Sequence, residues 1–339
     1  MQEGCIYNSK IPSGGKEMSN RVCEILGIEK PVISAAMTWL TSAEFVAAVS
    51  EAGGAGVLGI NAGQTTQTSD PVETAERLRA QIRRVRELTD KPFGVNLFFG
   101  AEIDPFTAET LKVLAEEKPA FVLVLPFGPL NKDAVKVFKD NGIKIVARPI
   151  SPTIENLKQV LEEGADILIY TGVEAGGHAS DYNVSLISGF PAVRAAIDAP
   201  LMAAGGITDS SSAKAAAAMG AEGVYAGTRF IVTKENPTAD AVKQTLIETK
   251  AEDLIRVPDI PGVSYFVKNA VGLELEKMMK EGADAMTLNR HYMSRGGFLK
   301  GMRLGIKDEG IINCGQAVNN ITSVKTCQEV VDELNILGK

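Results

Sequence analysis

Residues 200–230, PLMAAGGITDSSSAKAAAAMGAEGVYAGTRF, contain one complete repeat of the fold. Two apolar runs, Pro200 to Gly206 and Gly223 to Phe230, flank an alanine-rich stretch from Ser210 to Met219. That stretch has helical periodicity, and Asp209 or Ser210 is its candidate N-cap. Two buried strands joined through a helix are typical of a parallel strand pair. We therefore predict a strand–helix–strand unit here.

The same pattern recurs along the chain and predicts the fold class. Each further apolar run precedes a helix-compatible stretch such as Ser42 to Ala52, which ends at a glycine pair. The six further runs are Val32 to Met37, Ala55 to Ile60, Phe93 to Phe99, Phe121 to Phe127, Lys144 to Ile150 and Ile167 to Gly172. Eight such units favour an α/β fold, a closed TIM (β/α)8 barrel, over an open sheet.

The remaining segments give the predicted domain boundaries. Residues 1–17 form a flexible polar extension, and residues 18–235 with 305–339 form the barrel. Residues 236–304 show helical periodicity in Ala239 to Ile247 and Leu273 to Lys280, without a further strong strand. We expect a small helical lid subdomain, inserted after strand eight, and an amphipathic helix between Thr322 and Leu337 that packs on the barrel.

Composition narrows the class of protein. The chain has 339 residues, 45% of them hydrophobic, and a net charge of -7 without a basic cluster. This composition predicts a globular protein and argues against nucleic acid as a partner. No apolar run approaches the roughly 20 residues that span a bilayer, so we expect a cytoplasmic protein. The four cysteines lack metal-ligand spacing, and no metal site is predicted.

One glycine motif has the wrong context for its usual function. Residues 54–59, GAGVLG, match the GxGxxG fingerprint of dinucleotide-binding folds. That fingerprint must follow a strand and open a helix, so that the helix N-terminus meets the pyrophosphate. Here the glycines follow a helix and enter a strand, and we reject the dinucleotide interpretation.

His178 is the candidate catalytic residue. It closes the stretch Glu174-Ala175-Gly176-Gly177-His178, just after the apolar run of strand six, and is one of two histidines. The glycines allow close backbone approach to a bound group, and imidazole exchanges protons near neutral pH. The alternative is a histidine whose hydrogen bonds are satisfied locally. The other histidine, His291, is expected to lie on the surface of the helical segment.

Further candidates end other strands of the predicted barrel. Gly205 and Gly206 end strand seven, and Gly227 and Thr228 end strand eight. At this position in a barrel, backbone N–H groups and a hydroxyl can bind a phosphate. The alternative is a pair of ordinary glycine turns.

Two earlier strands carry candidates for binding a flat ring. Asn96 is a polar residue in an apolar strand, and its amide suits the edge of a heterocycle. Ala36 and Met37 end strand one with a small side chain and a soft thioether, on which a ring can lie. The alternatives are a structural hydrogen bond for Asn96 and plain core packing for the other two.

Together these motifs resemble the nitronate monooxygenase (2-nitropropane dioxygenase-like) family, which includes the FMN-dependent enoyl-acyl-carrier-protein reductase II. The resemblance runs from about Val22 to the tail, where Gly315-Gln316 matches a pair in both branches. It implies a barrel that binds FMN, with His178 as the catalytic acid/base. The FMN-binding residues that it implies are Ala36, Met37, Asn96, Glu174, Gly177, Gly205, Gly206, Gly227 and Thr228.

The sequence leaves the substrate open. Residues 125–129, LPFGP, resemble the strand-four end of nitronate oxidisers, which implies oxidation of alkyl nitronates or propionate 3-nitronate with O2. The compact chain between Asn96 and Phe121 resembles instead the NAD(P)H-dependent enoyl thioester reductases and quinone reductases. The family commonly has a glutamine before the strand-eight glycine, where this chain has Tyr225 two positions before Gly227. It also commonly has a glutamine at the end of strand one, which here reads Ser34-Ala35-Ala36-Met37. A non-catalytic flavin-binding barrel is therefore a third hypothesis. A homodimer is also expected.

Overall fold

The eight predicted strands form one parallel sheet that is nearly closed into a barrel. A computed structural model describes residues 20–260 and 262–337. The predicted extension at residues 1–17 lies outside the described residues. The strands are β1 (Val32–Ser34), β2 (Val57–Leu58), β3 (Gly94–Gly100), β4 (Phe121–Phe127), β5 (Lys144–Ala147), β6 (Ile167–Thr171), β7 (Leu201–Ala204) and β8 (Gly223–Ala226).

Consecutive strands pair from β2 round to β8, and β8 pairs with β1. The seam between β1 and β2 is bridged by two backbone hydrogen bonds. The Ala55 N–H donates to Val32 O (2.9 Å), and the Ser34 N–H donates to Ala55 O (3.0 Å). The TIM-barrel prediction is therefore confirmed.

Helices cover the outside of the barrel and carry well-formed N-caps. Ser42 caps the second helix, and Asp209, one of the two candidates predicted from the sequence, caps the eighth. The helices are α1 (Arg21–Leu26), α2 (Ala43–Glu51), α3 (Pro71–Leu88), α4 (Pro105–Glu117), α5 (Lys132–Asp140), α6 (Ile154–Glu162), α7 (Leu186–Ala196), α8 (Ser210–Ala218), α9 (Thr228–Ile231), α10 (Asp240–Glu248), α11 (Ala270–Lys280), α12 (Ala285–Ser294) and α13 (Cys327–Leu334). None of the helices in the described ranges is long and apolar enough to cross a bilayer.

The barrel interior is packed with side chains at one end. Inward residues such as Leu123, Ile169 and Met202 form a buried cluster with Val22 and Leu26 of α1. Because α1 precedes β1, it closes the end of the barrel at which the strands begin. The carboxyl ends of the strands are left to form a binding site, as in other barrels of this kind.

The glycines at 54, 56 and 59 serve packing. A Cβ on Gly54 would lie 2.6 Å from Val32 O, and one on Gly59 would lie 2.6 Å from Met37 O. A Cβ on Gly56 would come at least as close to the backbone of Val46 in α2. These glycines let α2 and β1 approach β2 closely, which agrees with our rejection of a dinucleotide fingerprint.

The segment from 236 to 304 differs from the helical expectation. It contains α10, α11 and α12, and also an antiparallel hairpin of β9 (Leu254–Pro258) and β10 (Val263–Val267). Pro258 is atypical of a strand and obscured β9, whereas Val263–Val267 is a β-rich apolar run that the sequence analysis overlooked. The tail helix is also shorter than predicted: α13 ends at Leu334, and Leu337 is half exposed.

Candidate functional site

A cavity of about 1160 Å³, open at its mouth, lies at the carboxyl ends of the barrel strands. All ten residues that the sequence singled out line it, and they come from five different strands of the barrel. They are Ala36, Met37, Asn96, Glu174, Gly177, His178, Gly205, Gly206, Gly227 and Thr228. Their convergence follows from the fold, because every parallel strand of the barrel ends on this face. Their individual roles remain predictions.

The glycines after β7 and β8 form a surface of unpaired backbone donors. Gly205 and Gly206 have φ of 91° and 73°, a left-handed conformation that favours glycine. A Cβ on Gly205 would lie 2.9 Å from Gly172 O. Within residues 20–260 and 262–337, we find no acceptor for the N–H groups of Gly205, Gly206, Gly227 or Thr228. Such a group of free N–H donors fits a phosphate.

The loop that carries His178 is attached to residues 313–316. The Gln316 N–H donates to Glu174 O (3.0 Å), and Asn313 Nδ2 donates to Gly176 O (2.5 Å). The Gly315 N–H donates to Thr228 Oγ1 (2.8 Å), which joins the same segment to the end of β8. The Gly315-Gln316 pair therefore connects the histidine loop to the free N–H donors.

Glu174 has a structural contact in addition to its place in the cavity. Its carboxylate accepts from the Leu186 N–H at 3.0 and 3.1 Å, at the start of α7. A carboxylate is stabilised there by the helix dipole. The carboxylate is therefore engaged in this contact, and any predicted contact of Glu174 with a cofactor would come from its backbone or its aliphatic stem.

Asn96 and Ala36 each use one group in the protein interior. Asn96 Nδ2 donates to Leu123 O (3.1 Å) on the neighbouring strand, so the structural alternative for this residue holds while it also lines the cavity. The Ala36 N–H donates to the hydroxyl of Tyr225 (3.0 Å), and this N–H is not available to a bound ring. Tyr225 thus makes this contact close to the position, before Gly227, at which the family commonly has a glutamine.

His178 lies at the cavity with its Nδ1 buried. Its side chain is 28% exposed, and its ring meets Phe98 edge-on at a centroid distance of 6.3 Å. Nδ1 lies 3.5 Å from Oδ2 of Asp259, which is in the turn of the β9–β10 hairpin. Burial lowers the pKa of His178 below its usual value; the Asp259 carboxylate opposes this, and the Arg148 charge adds to it. The neutral imidazole is thereby favoured near pH 7.

Arg148 is a site residue that sequence analysis missed. It is 7% exposed at the end of β5, donates to Thr171 Oγ1 (3.0 Å) and His178 O (2.8 Å), and lies over the Tyr225 ring. Burial lowers its pKa, but a guanidinium stays charged at neutral pH. No carboxylate among the described residues pairs with it. A basic residue in the apolar run Lys144 to Ile150 was the signal that could have found it.

Residues after the barrel cover the cavity mouth. Ser264, Phe298 and Met302, all within the 236–304 segment, line the cavity beside His178. His291 of the same segment does not; its Nε2 lies 2.9 Å from Glu274 Oε2, between α12 and α11. The chain thus places one histidine in the cavity and the other on the outer side of this segment.

A second cavity of about 870 Å³ shares Asn96 and Phe98 with the first. Its walls are mainly apolar and include Ile60, Leu78 and Phe106. The two cavities are therefore adjacent at these two residues.

Comparison with known proteins agrees with this architecture. The nitronate monooxygenase family model matches residues 19–336. The chain is 32% identical to a nitronate monooxygenase of Pseudomonas aeruginosa, over 68% of this chain and 74% of that protein. It is 26% identical to (3aS,4S,5R,7aS)-5-hydroxy-7a-methyl-1-oxo-octahydro-1H-indene-4-carboxyl-CoA dehydrogenase of Rhodococcus jostii, over 91% of this chain and 92% of that protein.

A solved structure shows the same fold over nearly the whole chain. FabK from Thermotoga maritima superposes with a TM-score of 0.80 at 28% identity, over 94% of this chain and 95% of that chain. Since the family model also matches most of this chain, the protein belongs to the nitronate monooxygenase family and is an oxidoreductase.

Proposed function

We propose that this protein is an FMN-dependent oxidoreductase that oxidises alkyl nitronates or propionate 3-nitronate with O2. The observation that carries the proposal is the convergence of a phosphate-sized group of free N–H donors, a buried cation and a half-buried neutral imidazole on one cavity. When bound, FMN supplies the redox chemistry of the reaction. The protein's own residues bind it, orient the substrate and move the proton.

The cavity fits FMN at its phosphate and at its ring. The N–H groups of Gly205, Gly206 and Gly227, with the Thr228 hydroxyl, would bind the phosphate. Met37 would pack against the ring. Arg148 would place its charge toward the anionic edge of the ring or toward an anionic substrate. A buried cation without a carboxylate partner is unfavourable unless a bound group compensates it, which supports an anionic ligand.

His178 would serve as the acid/base. A nitronate and its parent nitroalkane differ by one C–H proton, so a neutral imidazole beside the substrate can interconvert them. The lowered pKa of His178 favours the neutral form, and the nearby Arg148 favours an anion. Both features suit a small nitronate at the cavity mouth.

Oxygen consumption by the FMN-loaded protein tests this proposal. We expect propionate 3-nitronate to drive O2 uptake without NAD(P)H. With the parent nitroalkane 3-nitropropionate, which must first lose a C–H proton, His178→Ala should slow O2 uptake by roughly 10²- to 10⁴-fold with FMN still bound. His291→Ala is the matched control, because His291 pairs with Glu274 away from the cavity. Absence of turnover with nitronates would refute the substrate assignment.

A second candidate function is the reduction or oxidation of acyl thioesters with a nicotinamide cofactor. The second cavity, adjacent to the main one at Phe98, favours it, since a long acyl group needs apolar space beside the reacting centre. Two proteins similar to this chain, the CoA-thioester dehydrogenase and FabK, give the same indication. Bleaching of the flavin by NADH or NADPH under anaerobic conditions, followed by recovery with an enoyl thioester, would establish this function. Recovery with a quinone alone would identify a quinone reductase.

A further inference from the structure

We propose that Asp259 is the positioning residue for His178: it holds the imidazole in the tautomer that carries its proton on Nδ1 and presents Nε2 to the cavity. The inference rests on the acid/base function proposed for His178 and adds a partner from outside the barrel. Asp259 does not touch the cavity itself, so it would act only through the histidine.

The backbone brings the two residues together. Ala179, the residue after His178, exchanges two backbone hydrogen bonds with Val263 at the start of β10 (2.9 and 3.0 Å). The hairpin turn comes so close to this loop that a Cβ on Gly262 would overlap Ala179 O. Gly262 also has φ of 88°, and its carbonyl accepts from the Asp259 N–H (2.9 Å). The histidine loop and the hairpin therefore form one unit.

The Asp259 carboxylate is held in place by residues other than the histidine. The residue is 5% exposed. It accepts hydrogen bonds from Ser264 Oγ (2.7 Å), Tyr292 OH (3.0 Å), Asn289 Nδ2 (3.1 Å) and the Ile260 N–H (2.8 Å). Donors of this number satisfy a buried carboxylate and fix its orientation. Burial and this carboxylate both raise the pKa of Tyr292, so Tyr292 remains a donor.

His178 needs a partner on the side that faces Asp259. Its Nδ1 is buried and has no hydrogen bond within the described residues, and Oδ2 of Asp259 is 3.5 Å away. A shift of a few tenths of an ångström would bring this pair within hydrogen-bonding distance. Catalytic hydrogen bonds commonly shorten in this way when substrate binds. The other groups facing the ring are Arg148, a cation, and Phe98.

Nitrogen NMR of the imidazoles tests the inference without turnover. The chain has two histidines, and His291→Ala assigns the second set of signals. In the wild type we expect the neutral ring of His178 to carry its proton on Nδ1. In Asp259→Asn this preference should be lost, and the pKa of His178 should fall by about one unit because an anion has been removed.

Ser264→Ala gives an independent test with the opposite sign. Ser264 donates to the same Oδ2 that faces His178. Without this donor the carboxylate charge is less satisfied, so the pKa of His178 should rise. A general disturbance of the hairpin would not shift the pKa of His178 in opposite directions in the two variants. If Asp259→Asn does not fold, the pKa of His178 in Ser264→Ala still tests the role of Asp259.

The outcomes separate this inference from the proposed function. An unchanged tautomer and pKa in Asp259→Asn, or no rise in Ser264→Ala, would overturn the role of Asp259. An unchanged rate in His178→Ala would overturn the acid/base function, whatever the NMR shows. If Asp259 and His178 both act as proposed, the acid limb of kcat/KM in Asp259→Asn should move to lower pH by the pKa shift that NMR measures. The rate loss should not exceed that of His178→Ala.

Discussion

Two adjacent glycines in the histidine loop provide a matched test of how this loop is held. A Cβ on Gly176 would lie 2.5 Å from the carbonyl carbon of Cys314 and closer still to the Gly315 nitrogen. A Cβ on Gly177 would meet nothing within 4 Å. Neither glycine has a positive φ, so the two substitutions to alanine differ in packing and not in backbone strain.

The contacts at Gly176 give the expected magnitude. Gly176→Ala would push the loop away from residues 313–316, where Asn313 Nδ2 donates to Gly176 O and the Gln316 N–H donates to Glu174 O. Losing these two bonds costs about 2 kcal/mol. Overpacking adds roughly 1 to 3 kcal/mol. The free energy of unfolding should therefore fall by about 3 to 5 kcal/mol in Gly176→Ala. It should change by no more than about 0.5 kcal/mol in Gly177→Ala.

Urea unfolding of the FMN-free variants is the assay. Trp39 is the single tryptophan and is buried, so its fluorescence reports the loss of the fold. Leaving FMN out removes the contribution of ligand binding to stability. The midpoint should move for Gly176→Ala while the slope stays constant. Equal stability of the two variants would refute this account of the loop.

Three further predictions concern the cavity. FMN should bind roughly 10²- to 10⁴-fold more tightly than riboflavin, because charge-assisted bonds from only two of the four proposed donors already contribute about 3 to 6 kcal/mol. Flavin fluorescence quenching measures both affinities, and equal affinities would contradict the phosphate site. The acid limb of kcat/KM for 3-nitropropionate should lie below pH 6.5, since the pKa of His178 is lowered and the base that removes the C–H proton is active when deprotonated. Arg148→Met should move that limb to higher pH, because Arg148 lowers the pKa of His178, whereas Arg148→Lys should not; a limb that stays in place in Arg148→Met would show that the two groups are not coupled.

The barrel and its open end follow from short-range patterns in the sequence. Strands buried on both faces are continuous apolar runs, and these eight runs alternate with capped helices. Their carboxyl ends meet on one face, so the residues after each run can be collected into one site. That argument places His178, Gly205 and Thr228 around the same cavity.

The parts of the site that escaped prediction depend on tertiary contacts. Asp259 reaches His178 only because the β9–β10 hairpin pairs with the loop after the histidine. Nothing near Asp259 in sequence indicates that pairing. The bond from the Ala36 N–H to the Tyr225 hydroxyl likewise depends on the pairing of β1 with β8, which are far apart in the sequence. Arg148 could have been recognised as a single basic residue at a strand end, although its burial without a carboxylate depends on the folded interior.

The central claim is that His178 moves a proton for a flavin-dependent reaction in this cavity. Anaerobic mixing of FMN-loaded wild type and His178→Ala with 3-nitropropionate, whose C–H proton must be removed before oxidation, tests it most directly when the flavin absorbance is followed. We predict bleaching in the wild type that is slower by roughly 10²- to 10⁴-fold in His178→Ala, with the same FMN content in both. Equal rates in the two proteins, or no bleaching in the wild type, would contradict the claim.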